Sequence, residues 1–135
     1  MRILIDTGAI YAIVTRTDRH HEAAVAFTQE VSANKDVFLL ADLVFAETMT
    51  LLKARLGTSI ALQVGKVLRR NPICIWTPLG PDYERETWAL FQQYDDKDWS
   101  YSDCALLALA RRLGIKEVFT FDHHFSQMPE VERVP

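Results

Sequence analysis

The chain has only two cysteines in 135 residues. Cys74 and Cys104 lack metal-ligand spacing, and each lies in an apolar stretch, so both read as buried thiols of a reducing compartment. Glycine and proline are also scarce, five of each, which excludes linker-rich and collagen-like architectures. No apolar run approaches the ~18 residues of a membrane span. The opening Ile3-Leu4-Ile5 is too short for a signal-peptide core. A cytoplasmic protein with no membrane partner is the expectation from these missing signals. Excess positive charge is missing too: 15 Lys and Arg face 18 Asp and Glu, for a net charge of −3. Bulk charge therefore does not hold this chain to nucleic acid. Any such contact needs a local basic surface or a metal that reverses the local sign.

What is present is an ordinary globular composition, 49% hydrophobic and 24% charged. The length suits a single domain over residues 1–135. Short apolar runs at 3–5, 37–41, 73–77 and 118–121 read as buried strands, with a short edge strand in the tail. Helices are expected at 9–14, 21–31, 43–56, 59–70, from Pro81 to about Gln93, and from about Tyr101 to Leu113. Gly57 and Gly114 sit where C-caps belong. Strands alternating with helices predict a parallel α/β sheet covered on both faces.

In such a sheet, ligands bind beyond the carboxyl ends of the strands. Asp6 follows the first strand and Asp122 the fourth, so both carboxylates are expected in one crevice. Each also suits a helix N-cap, a sufficient structural explanation by itself. Asp103 stands three residues after Ser100 at a helix start, a spacing that resembles a capping box. Glu47 lies inside a helix beside Leu43, Val44, Thr50 and Leu51, with no Lys or Arg three or four residues away. A carboxylate on an apolar stripe is costly unless paired or metal-bound. The alternatives are a Glu that reaches solvent at the stripe edge, or one paired with a distant Arg.

Two carboxylates ~5 Å apart repel by ~3 kcal/mol at an effective dielectric near 20. Four in one crevice call for protonation or for a divalent cation. Oxygen-only ligands favour Mg²⁺ or Mn²⁺ over Zn²⁺, and a carboxylate-held Mg²⁺ suits phosphate chemistry.

The residues resemble a known family. Asp6-Thr7, Glu47 with Leu51 and Leu52, Tyr94-x-Asp96, Ser100-Tyr101-Ser102-Asp103, Ala110, Leu113-Gly114-Ile115, Thr120-Phe121-Asp122 and His124-Phe125 are similar in order and spacing to PIN-domain ribonucleases of the VapC toxin type. The resemblance spans nearly the whole chain. It implies a three-layer α/β/α fold with a central, mostly parallel sheet of four to five strands. It also implies a magnesium- or manganese-dependent endoribonuclease acting on single-stranded or loop RNA, the toxin of a toxin–antitoxin pair with a small antitoxin partner. Asp6 and Asp103 would be the principal metal ligands. Glu47 would ligate or orient the attacking water, and Asp122 would complete the site. Thr7, Ser100 and Thr120 would support it. Two acids, Asp96 and Asp98, precede Ser100 and compete for the site; the match to the Tyr-x-Asp run favours Asp96, with Asp98 read as a helix cap.

Around this cluster, Arg16, Arg19, His20 and His21 fall in one loop. Lys53, Arg55, Lys66, Arg69 and Arg70 lie on helices. Each is a candidate phosphate contact or part of a solvated face. His124 is a candidate RNA contact or a structural histidine. Trp76, Trp88, Trp99 and the phenylalanines read as core or interface rather than base-stacking platforms, and their abundance predicts a homodimer. Two other classes compete. An aspartyl phosphatase also places Asp after its first strand, but it needs Asp-x-Asp and here the third position is Gly8. A PIN-like module that binds metal or RNA without cutting is the non-catalytic alternative, and it would be expected to have lost an acid.

Overall fold

Arg2–Ile5 (β1) is a strand whose residues 3, 4 and 5 are all buried. Successive strand residues face opposite sides, so both faces of the sheet are covered. The computed structural model describes residues 1–135 and has six α-helices around a five-stranded sheet. After β1 come Thr7–Val14 (α1), His21–Ala33 (α2), Val37–Ala41 (β2), Asp42–Leu56 (α3), Thr58–Arg70 (α4), Cys74–Thr77 (β3), Pro81–Gln93 (α5), Tyr101–Leu113 (α6), Glu117–Phe119 (β4) and Glu132–Val134 (β5). A short 3-10 helix spans His123–Gln127.

All strands pair in parallel, in the order β3-β2-β1-β4-β5. The chain moves outward from β1 through β2 to β3, then returns to the other side of β1 with β4. The reversal falls between β1 and β4, and a crevice opens there beyond their carboxyl ends. Asp6 directly follows one of those strands, and Asp122 lies just past the other.

The core joins β1, β2 and β4 to α6, whose residues 102–110 are buried without interruption. A helix buried on nearly all sides reads as an apolar run instead of a stripe, as Ala105-Leu106-Leu107-Ala108-Leu109-Ala110 does. Gly114 ends α6 in the left-handed conformation, φ 66° and ψ 32°, which glycine adopts without a Cβ clash. Trp99 is buried, and its indole donates to Gln127 Oε1 at 2.7 Å.

Several expectations are corrected. α1 begins at Thr7, not Ala9, because Asp6 caps it directly. β4 ends at Phe119, so Thr120 and Phe121 lie beyond the strand. Cys74 is only half-buried because β3 is a sheet edge; Cys104 is buried. Asp98 caps nothing, since Ser100 occupies the N-cap of α6. Trp76 and Trp88 are exposed, which removes the core half of the core-or-interface expectation for them.

Candidate active site

Asp6, Glu47, Asp103 and Asp122 line one cavity of about 570 Å³ at the β1/β4 crevice. The elements deliver them for local reasons. Asp6 is the N-cap of α1, and its Oδ1 accepts from the Thr7 amide at 2.8 Å. Asp103 completes a capping box with Ser100: its Oδ2 accepts from the Ser100 amide at 2.9 Å, and its own amide donates to Ser100 Oγ at 3.1 Å. Asp122 caps the 3-10 helix by accepting from the His124 amide at 2.9 Å. Cap and cavity roles therefore coincide at all three residues.

Polar side chains bind the acids into one network. The Thr120 hydroxyl donates to Asp6 Oδ2 at 2.9 Å and accepts from the Asp122 amide at 3.0 Å. His124 Nδ1 lies 3.0 Å from Asp103 Oδ2 and 3.3 Å from Asp122 Oδ1, bridging two of the carboxylates. Ser102 donates to Glu47 Oε2, and Ser102 Oγ lies 3.2 Å from Ser100 Oγ. Thr7 ties α1 to α3: its hydroxyl lies 3.5 Å from the Val44 carbonyl and 3.3 Å from Thr48 Oγ1, one turn or less from Glu47.

The electrostatics are those of crowded acids. Asp6 is 7% exposed and Asp103 4%. Burial pushes the Asp6 carboxyl from an ordinary 3.8 up to about 7, and the charges of Asp103 and Glu47 push the same way. The Thr120 hydroxyl and the Thr7 amide oppose that shift by favouring the ionised form. Asp103 Oδ1 and Asp122 Oδ2 accept no hydrogen bond from the protein. A buried carboxyl held on the edge of ionisation beside others with free oxygens fits an oxygen-ligated divalent cation. Asp122, His123 and His124 also stand within metal-ligating reach of one another.

The remaining predicted residues divide. Thr7, Ser100, Arg19 and His124 line the cavity, and Thr120 is held against Asp6. Asp96 does not; it is exposed in the turn before α6, and neither it nor Asp98 faces the acids. Arg16 is exposed outside the cavity. Glu47 is exposed rather than buried on an apolar stripe, so the burial argument for it fails and its place on the cavity replaces that argument. Ser102 falls in the family-like run, but its role is not legible in the sequence because its link to Glu47 crosses 55 positions. Arg55 lines the cavity with its guanidinium 5.3 Å above the Tyr11 ring.

Residues 3–131 match the family model for the PIN domain. A curated relative, the 23S rRNA-specific endonuclease VapC20 of Mycobacterium tuberculosis, is 28% identical over 134 residues, covering 98% of both chains. The crystal structure of Mycobacterium tuberculosis VapC20, a sarcin-ricin loop cleaving toxin, gives a TM-score of 0.85 at 27% identity, covering 98% of this chain and 99% of that one. FitAcB from Neisseria gonorrhoeae shares the fold, with a TM-score of 0.72 at 16% identity over 100% of this chain and 97% of its own. With the family model spanning nearly all of it, this chain belongs to the PIN-domain family.

Proposed function

We propose that this protein is a divalent-metal-dependent endoribonuclease that hydrolyses phosphodiester bonds in single-stranded or loop RNA, as the toxin of a toxin–antitoxin pair. The observation that carries this is that four of the five carboxylates on one cavity are joined by a single hydrogen-bond network, the fifth, Asp18, accepting from the His20 amide instead, and that burial and neighbouring charge raise the Asp6 carboxyl to about 7. The relative that cleaves 23S rRNA supports RNA as the substrate. That relative is a toxin, which supports the biological role.

Asp6 and Asp103 are the principal candidates to hold Mg²⁺ or Mn²⁺, with Glu47 and Asp122 completing the set. When bound, the cation neutralises phosphoryl oxygens and makes a nearby water more acidic. The chain's own residues do the rest. Thr120 and the Thr7 amide fix both Asp6 oxygens. The Ser100 amide and His124 fix Asp103 Oδ2 and leave Oδ1 free. Glu47 is the most exposed of the four, and Ser102 holds its Oε2. Its position suits orienting the attacking water and taking that water's proton on a carboxylate oxygen. Arg19 and Arg55 form the cationic part of the wall and suit RNA phosphates on either side of the cut.

The assembly belongs to the same reading. No helix is long and apolar enough to cross a membrane, in keeping with a cytoplasmic site of action. Trp88 is 54% exposed and packs beside Phe91, itself at the surface. Such a patch supports a homodimer, and the toxin role implies a small antitoxin as a second partner.

Purified protein incubated with single-stranded RNA and Mg²⁺ or Mn²⁺ is expected to yield internal cuts that stop on adding EDTA. Undiminished cleavage in excess chelator would overturn the metal dependence, and intact RNA under every metal condition would overturn the activity.

A further inference from the structure

Two flat rings in the cavity wall take no part in holding the acids. His20 and Phe121 are stacked, with centroids 4.3 Å apart and planes within 3° of parallel. Both line the cavity and both are half-buried, so the pair keeps ring surface open to it. The stack is anchored from each side. Phe121 meets the buried Phe119 edge-on at 5.9 Å, and its carbonyl accepts from Arg133 at 3.3 Å. The His20 amide donates to Asp18 Oδ1 at 2.8 Å, and its ring Nε2 accepts from Arg19 Nε at 3.1 Å. A neutral imidazole that accepts at Nε2 carries its proton on Nδ1. That Nδ1–H has no acceptor within the protein.

A contact that only closed a loop onto the core would bury both rings and would not need an imidazole. Here a parallel aromatic pair stands beside Asp122, presents a free N–H donor, and has an arginine in the same loop. Unpaired RNA bases are recognised by those features: stacking on aromatic faces and hydrogen bonds at base edges.

We propose that His20 and Phe121 form a nucleobase-stacking subsite that seats one unpaired base next to the acidic cluster. This rests on the ribonuclease reading and adds to it what holds the nucleotide beside the cut. The base covers the apolar ring surface, and His20 Nδ1–H donates to an acceptor on the base or its ribose. Because Phe121 directly precedes Asp122, seating a base on the pair brings the adjoining phosphate toward the carboxylates. The subsite accepts any base that is free to unstack, so it selects for single strands and loops over duplex.

The test uses a short single-stranded oligoribonucleotide with 2-aminopurine walked through its positions, bound to wild type, His20→Ala, Phe121→Leu and Phe121→Tyr. Leucine keeps apolar bulk against Phe119, and thermal melting checks that each variant folds. For wild type, one position of the fluorophore should be quenched on binding. His20→Ala and Phe121→Leu should lose that quenching and bind about tenfold more weakly, whereas Phe121→Tyr should retain both. In cleavage, the same losses should appear in KM with kcat largely kept. Wild-type quenching without cleavage would keep the subsite and overturn the enzyme reading. Folded His20→Ala and Phe121→Leu that bind and quench like wild type, or wild type that quenches at no position, would overturn the subsite.

Discussion

The Thr120 hydroxyl donates to Asp6 Oδ2 at 2.9 Å, although 114 positions separate the two residues in the chain. The same hydroxyl oxygen accepts from the Asp122 amide, so one small side chain fixes the acids after β1 and β4 relative to each other. Thr120→Val preserves shape and removes both bonds. A buried polar group left unpaired costs about 1–3 kcal/mol, and that loss should appear in denaturant unfolding. The Asp6 carboxyl should move further up, and Mn²⁺ should bind more weakly at neutral pH. Unchanged Mn²⁺ binding by calorimetry would show that Thr120 does not tune Asp6.

Metal-free stability should depend on Asp6 in a definite direction. Its carboxyl sits at about 7 in the fold against an ordinary 3.8. Between those values the native state keeps a proton that the unfolded chain has lost. Stability from this group is therefore full at the acid end, falls as pH rises, and levels off above about pH 7. At 1.36 kcal/mol for each pKa unit, the fall is at most about 4 kcal/mol. Urea unfolding in EDTA across that range should show it, and Asp6→Asn should flatten it. Added Mn²⁺ should stabilise most at the high end, because cation and proton compete for the same carboxyl. A wild-type profile in EDTA identical to that of Asp6→Asn would contradict the assignment.

Ser102 holds Glu47 across the gap between α6 and α3. Ser102→Ala frees the Glu47 side chain but removes no charge. Cleavage should fall about tenfold with little loss of stability, because Glu47 is exposed and can hydrogen-bond to water. Single-turnover rates compared with thermal melts separate these effects. A folded Ser102→Ala that cuts at the wild-type rate would remove Ser102 from the site.

Three of the acids are legible from local signals in the sequence. Asp6, Asp103 and Asp122 stand where strands end and helices begin, and one crevice collects those ends in a parallel sheet. Glu47 is legible by position and family likeness, but not by burial on an apolar stripe, because its side chain is exposed. Asp96 fits a sequence run, yet the turn before α6 leaves it in solvent. What stays hidden in the sequence depends on pairs far apart in the chain. Thr120 with Asp6, Ser102 with Glu47, and His20 with Phe121 meet only once the sheet order is known. Neither strand nor helix periodicity carries that information.

The exposed patch of Trp88 and Phe91 on α5 predicts self-association. Wild type should sediment as a dimer at high micromolar concentration. Trp88→Glu, a surface change that leaves the core intact, should give a folded monomer. A wild-type monomer under those conditions, or a variant that still dimerises, would rule out this surface as the dimer contact.

The most direct measurement is single-turnover RNA cleavage in Mg²⁺ by wild type, Asp6→Asn and Asp103→Asn. Asparagine caps a helix about as well as aspartate, so neither change should unfold the protein. Relieving a self-repelling cluster should leave the melting temperature in EDTA equal or higher. If these carboxylates hold the cation, both variants lose cleavage by orders of magnitude and lose most of the Mn²⁺-induced rise in melting temperature. Asp6→Asn and Asp103→Asn proteins that cut RNA like wild type and keep the full Mn²⁺ response would contradict that assignment.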